Sequence, residues 1–217
     1  MKQPQPRPPG ELQKARRTPL KLVASDLAMT RNGRVLFANL SFTLRPGAWV
    51  AVRGPNGAGK STLLRIAAGL LQPTGGHIAV EPKDEGEGRA PAHYVGHLDA
   101  LKPALTVSAN LDFWRLVWGG EGTIAAALDA VALGHLAHLH VATLSAGQRR
   151  RLALARLLIA ERPLWLLDEP TTALDQSGEA LLGALLQGHL AGGGMALVAM
   201  HRDLPVAATR TLTLGGG

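Results

Sequence analysis

From Leu20 onward the chain falls into short apolar runs broken by turn residues. Residues 21–27, 35–44 and 48–52 are separated by Asn32-Gly33 and Pro46-Gly47, which predicts three strands joined by turns. Residues 60–71 carry apolar side chains at helical spacing and close on Gln72-Pro73-Thr74-Gly75-Gly76, a helix followed by a loop. Residues 77–80 read as another short strand, 82–91 as a polar loop containing Gly86 and Gly88, and a further strand ends near Gly96. The stretch 103–160 is helical in pattern, most clearly at 107–117, 123–131 and 148–160. Residues 164–167 and 196–200 are uninterrupted apolar runs of the kind found in buried parallel strands. Strands alternating with helices predict an α/β fold with a helical insertion. No internal repeat is evident.

Composition changes this picture little. At 217 residues, with 46% hydrophobic and 18% charged, the chain is long and apolar enough for a substantial core. Aromatics are only 4%, so that core rests on Leu, Ala and Val. With no cysteine, disulfide scaffolds, thiolate metal sites and cysteine catalysis are excluded. No stretch approaches the ~18 apolar residues of a membrane span. No apolar signal-peptide core precedes residue 20, so the chain is expected to be made and kept in the cytosol.

The formal charge of +7 suggests anionic partners, but its placement matters. Residues 1–21 hold six basic residues against Glu11 alone, so +5 of the excess sits there and the remainder is close to neutral. A generic nucleic-acid reading loses its support. Residues 1–19, with five prolines, read as a flexible basic arm: a solvated extension, or one drawn weakly to lipid phosphate.

The strongest chemical signal is Gly54-Pro55-Asn56-Gly57-Ala58-Gly59-Lys60-Ser61-Thr62, which fits G-x-x-x-x-G-K-[ST] between a strand and a helix. Its glycines let backbone N–H groups wrap a phosphate at a helix N-terminus. Lys60 reaches the β- and γ-phosphates, and Ser61 offers its hydroxyl to Mg²⁺. A second Mg²⁺ support belongs on a neighbouring strand, and the run Leu164-Trp165-Leu166-Leu167 ends on Asp168. Glu169, next in line, can polarise water for attack on the γ-phosphate. Leu144-Ser145-Ala146-Gly147-Gln148 supplies a second helix N-terminus with Ser145 as its cap. Ala173-Leu174-Asp175 and, after the run 196–200, His201 complete the series. His135, His138 and His140 do not share one helical face and have no carboxylate among them, so no metal role is assigned.

In these motifs and their order, from residue 20 to about 205, the chain resembles the ATP-binding subunits of ABC transporters. The resemblance implies a P-loop NTPase with a RecA-like core, an antiparallel β subdomain and an inserted helical subdomain at about 97–160, within a domain spanning 20–217. It implies ATP and Mg²⁺ as ligands and a head-to-tail homodimer sandwiching two nucleotides. Ser145, Gly147 and Gln148 of one copy would close on the γ-phosphate held by Lys60 of the other. Glu169 would be the base, His201 the γ-phosphate sensor, and Asp175 would cross the dimer interface. A separate multi-span membrane subunit is implied as partner, placing the chain peripherally on the cytoplasmic face of the bacterial inner membrane.

Two positions depart from the family. No adenine-stacking aromatic stands near residues 29–31, which leaves base recognition to Arg31 or to apolar packing. After the strand ending near Gly96, the family's glutamine is replaced by His97 or Leu98. Within the family, Gly96-His97 with Lys102 and Leu105-Thr106, the stretch Leu36-Phe37-Ala38-Asn39-Leu40-Ser41-Phe42, and Pro163 to Glu169 resemble the haem-exporter ATP-binding subunits of cytochrome c biogenesis. A subunit for another small substrate is the nearest alternative, and a nucleotide-dependent scaffold with little turnover is a third. The span from Thr62 to Leu144 is too short for coiled-coil arms, which argues against a nucleic-acid-acting ABC ATPase.

Overall fold

The structure, a computed structural model, describes residues 20–82 and 92–215. The arm at 1–19 and most of the loop expected at 82–91 lie outside the described residues. Two sheets organise the chain. Strands β1 (Lys21–Arg31), β2 (Arg34–Leu44) and β4 (Gly75–Glu81) form an antiparallel sheet in the order β2-β1-β4. Strands β3 (Trp49–Arg53), β5 (Ala92–Val95), β6 (Leu164–Asp168), β7 (Met195–Ala199) and β8 (Arg210–Thr213) form a parallel sheet in the order β5-β6-β7-β3-β8.

The parallel strands read as unbroken apolar runs because both of their faces are covered. Val50 and Val52 of β3, Leu164 and Leu166 of β6, and Met195 and Leu197 of β7 enter one core. It packs against the antiparallel sheet and helix α1 (Lys60–Ala67). The alternate residues Trp49, Ala51, Trp165, Leu167, Ala196 and Val198 enter a second core on the opposite face. There they meet helix α5 (Gln176–Ala191) through Leu182 and Leu186. A third core unites helices α2 (Val107–Trp118), α3 (Ile124–Ala130) and α4 (Ala146–Ala155) around Leu111, Leu128, Leu152 and Ile159.

Where element limits differ from the sequence pattern, local geometry explains it. Strand β1 continues to Arg31 rather than stopping at 27. Asp26 takes a left-handed φ of 49° in a bulge, and the Ser41 hydroxyl accepts from its N–H at 2.8 Å. Past the bulge the inward side shifts phase to Leu27 and Met29, so the alternation resumes after a break. Helix α1 stops at Ala67, four residues short. Leu70 donates to the Arg65 carbonyl and Gly69, at φ 71°, to that of Ile66, a glycine-terminated Schellman cap. Helix α4 ends at Ala155 and tightens into a 3₁₀ turn over Arg156–Leu158. Helix α5 and strand β8 have no counterpart in the sequence reading. Gly178, Gly183 and Gly188 interrupt the helical pattern of α5, and β8 buries only Leu212 of its four residues.

One buried histidine carries a stability consequence. His93 of β5 lies against the Trp118 ring, 4.7 Å between centroids, and its Nε2 bonds the Ala160 carbonyl at 2.6 Å. Burial foremost, opposed by that bond and aided by the nearby Arg162 and Arg156 charges, lowers its pKa from 6.5 to about 4. The unfolded chain therefore takes up this proton near 6.5 and the folded chain only near 4, so acid favours unfolding. The contribution is complete above pH 6.5 and is lost as pH falls towards 4, by about 3 kcal/mol. Thermal unfolding from pH 7 to 4 should show a steeper loss for the wild type than for His93→Phe; parallel curves would reject this account.

Candidate active site

In a parallel sheet the carboxyl ends of neighbouring strands open onto one crevice, and ligands bind there. Here β6, β7 and β3 are consecutive, with Ala199 of β7 paired to Asp168 of β6 on one side and to Val52 of β3 on the other. Three motifs distant in sequence therefore meet: the loop after β3, the Asp168-Glu169 pair ending β6, and His201 just after β7.

The loop from Gly54 to Gly59 is shaped by its glycines. Gly54, at φ 146°, has no room for a Cβ, which would collide with the Leu214 carbonyl. Gly59, at φ 97°, lies against Leu36 and Phe37 and delivers the chain into α1 in a left-handed conformation. The first N–H groups of an α-helix such as α1 have no carbonyl one turn earlier to bond, the arrangement that receives anions. Lys60, only 7% exposed, folds back over the loop. Its Nζ donates to the carbonyls of Gly54 (2.9 Å) and Pro55 (3.3 Å) and lies 3.2 Å from His201 Nε2.

Ser61 and Asp168 form the second part of the site. The Ser61 hydroxyl donates to Asp168 Oδ1 at 2.9 Å, and the Tyr94 hydroxyl donates to Oδ2 at 3.3 Å. Asp168 is 1% exposed, and both carboxylate oxygens are held. Arg65 of α1 reaches the Tyr94 oxygen at 3.4 Å; burial foremost, with the Asp168 carboxylate, keeps the Tyr94 phenol protonated by raising its pKa. A hydroxyl and a carboxylate at hydrogen-bond separation suit a hard, oxygen-preferring cation such as Mg²⁺.

Glu169 adopts φ 49°, a left-handed conformation costing on the order of 1–2 kcal/mol for a residue with a Cβ. Its N–H donates to the Ala199 carbonyl, and its Oε1 lies 3.2 Å from His201 Nε2. That one ring nitrogen faces both Lys60 and Glu169. Unprotonated it accepts from Lys60; protonated it donates to Glu169. Lys60, Ser61, Glu169 and His201 line a common cavity of about 430 Å³, together with His97 and Thr172. Of the two residues at the departure from the family's glutamine, His97 lines this cavity, whereas Leu98 is 82% exposed.

Ser145, Gly147, Gln148 and Asp175 do not line this cavity. Ser145 caps α4 in a reciprocal box: its hydroxyl accepts from the Gln148 N–H at 3.2 Å, and Gln148 Oε1 accepts from the Ser145 N–H at 2.8 Å. Asp175 caps α5, accepting from the Gly178 N–H and the Ser177 hydroxyl, and these bonds, the Gly178 one first, lower its pKa. The sequence reading passed over Tyr94, Thr172 and Arg150. Tyr94 follows from strand alternation only once β5 is known to lie beside β6. Arg150 is one of three consecutive arginines, and nothing local distinguishes it.

A phosphate-binding loop, a paired hydroxyl and carboxylate, and a glutamate–histidine couple at the carboxyl ends of adjacent parallel strands define a P-loop nucleoside triphosphatase. The chain belongs to the ABC transporter family, whose profile matches residues 37–172, and it is an ATPase of that type. The curated relatives are more specific. It is 54% identical to the cytochrome c biogenesis ATP-binding export protein CcmA of Nitrobacter winogradskyi, over 91% of this chain and 99% of the relative. Identity to the protein of the same name from Bradyrhizobium diazoefficiens is 50%, with the same coverage of both chains. Among solved structures, a putative ABC transporter ATP-binding protein from Pyrococcus furiosus superposes with a TM-score of 0.77. It covers 89% of this chain and 97% of its own length at 21% identity, a likeness of fold.

Proposed function

We propose that this chain hydrolyses ATP to energise a CcmAB-type membrane complex serving c-type cytochrome biogenesis and linked to haem. The observation that carries this reading is 54% identity to a CcmA protein along almost the whole of both chains.

In this reading the loop 54–59 and the N-terminus of α1 bind the triphosphate. Lys60 leaves the Gly54 and Pro55 carbonyls for the β- and γ-phosphates. Ser61 and Asp168 would hold Mg²⁺. When bound, that ion would neutralise charge on the phosphate oxygens. Glu169 accepts the proton of the attacking water at its carboxylate, and His201 senses the γ-phosphate. Ser145, Gly147 and Gln148 serve a second copy's nucleotide in a head-to-tail homodimer, with Asp175 at the interface. Their absence from the cavity of their own chain supports that arrangement. No helix among the described residues is long and apolar enough to cross a membrane, which fits attachment through a separate CcmB-like multi-span subunit. The exposed Leu98 supports contact with it around 97–102, in the helical subdomain at about 97–160. The location is peripheral, on the cytoplasmic face of the bacterial inner membrane.

Deleting the chain should abolish mature c-type cytochromes and leave b-type cytochromes intact, read by haem staining and difference spectra. Normal covalent haem attachment in the deletion strain would reject the cytochrome assignment and leave the ATPase untouched. Activity of the purified chain should also rise steeply with protein concentration. Specific activity independent of concentration, from a monomer, would reject the two-copy site.

A further inference from the structure

We propose that Arg150 of α4 is a positioning residue, which sets the backbone of Glu169 and ties it to the loop at 96–99. This rests on the reading of Glu169 as the base.

Arg150 is 3% exposed, and all five of its N–H groups are used. Nε donates to the Pro170 carbonyl at 3.1 Å. One terminal nitrogen donates to the Gly96 carbonyl (2.9 Å) and to Asp99 Oδ1 (3.0 Å). The other donates to the carbonyls of Asp168 (3.0 Å) and Glu169 (2.9 Å). The Asp168 and Glu169 carbonyls belong to the two peptide planes that flank the Glu169 Cα. A single nitrogen gripping both fixes the φ and ψ of that residue, and with them the direction in which its side chain leaves the backbone. This is needed because Glu169 sits at φ 49°, a conformation that a side-chain-bearing residue leaves unless its surroundings impose it.

The same guanidinium joins three elements. It stands on α4, whose first turn carries Ser145, Gly147 and Gln148; it holds the turn after β6; and it pairs with Asp99, whose own carbonyl accepts from Arg156. Displacement of the loop at 96–99, or of α4 against the parallel sheet, must therefore pull on the Glu169 peptide planes. Arg149 and Arg151 take no part in this grip: the Arg149 guanidinium turns back to the Leu144 carbonyl. Lysine cannot substitute, since three donors on one point charge cannot span five acceptors that the planar fork reaches.

The test compares Arg150→Lys, Arg150→Met, Asp99→Ala and Glu169→Gln in the full chain. It reads kcat, the Kd for Mg-ATP, and amide hydrogen exchange at Glu169, Thr171 and Thr172. Both Arg150 variants should lose about 10–10²-fold in kcat, as expected for a misplaced catalytic group. Their Kd should stay within about threefold, because no contact to the phosphate loop is removed. Exchange at these three amides should accelerate. Arg150→Lys combined with Glu169→Gln should be no slower than Glu169→Gln alone, since a residue acting through Glu169 has nothing left to act on. Asp99→Ala, which keeps the four carbonyl bonds, should show a smaller loss in kcat at unchanged Kd, and it decides the matter if the Arg150 variants do not fold. Unimpaired turnover of the folded variants, a parallel loss of binding and turnover, or an additive loss in the double variant would overturn the proposal while a slow Glu169→Gln leaves the base assignment intact. Near-normal turnover by Glu169→Gln itself would overturn both.

Discussion

Lys60→Ala should sharply weaken Mg-ATP binding. Lys60 is the cation at the phosphate loop, its ammonium already lies over the loop, and it is almost wholly buried. The left-handed glycines at 54, 57 and 59 impose the course of the loop, so the variant should fold with its N–H groups in place, losing the Lys60 bonds to the Gly54 and Pro55 carbonyls and the cation that would offset phosphate charge there. Removing one partner of a buried charge-assisted contact costs about 2–5 kcal/mol, on the order of 30- to several-thousand-fold in Kd. Titration with a fluorescent ATP analogue measures this directly. A Kd within threefold of the wild type would remove the foundation of the site assignment.

Glu169→Gln should bind ATP normally and turn over ~10²–10⁴-fold more slowly, the usual cost of losing a general base. The amide keeps the size of the carboxylate and leaves the Asp168–Ser61 pair untouched, so binding and chemistry should separate cleanly. An ATP-bound dimer should then persist and elute as such in gel filtration. Near-normal turnover would move the base elsewhere, first to His201, whose Nε2 lies 3.2 Å from Glu169.

Much of this site was legible in the linear chain because its chemistry is local. The loop 54–62 is contiguous, so its glycines, Lys60 and Ser61 declare a phosphate nest without reference to any other element. Asp168 and Glu169 could be chosen because an apolar strand terminates on them, and His201 because it follows another such run. Strands β3, β6 and β7 were visible for the same reason: burial on both faces writes an unbroken apolar run. Strand β8 lacks that signature because it has one buried residue, and the glycines in α5 hide a helix stabilised by packing, with Gly183 against Pro205.

The sequence alone determined the glycine-rich loop, the carboxylate that ends β6, the adjacent glutamate and the capped helix at Ser145, since each depends on neighbours within a few residues. Only the tertiary structure decided that β6, β7 and β3 lie side by side and bring Lys60 and Glu169 each within hydrogen-bond range of His201. It also decided that Tyr94 secures the second oxygen of Asp168, that His97 lines the cavity shared by Lys60, Glu169 and His201, and that Arg150, out of three arginines in a row, is the one turned inward. Strand order and helix docking set these facts. They arise from burying apolar faces far apart in the chain, and a local run of residue types carries no record of which distant backbone carbonyls will surround a side chain once those faces have met.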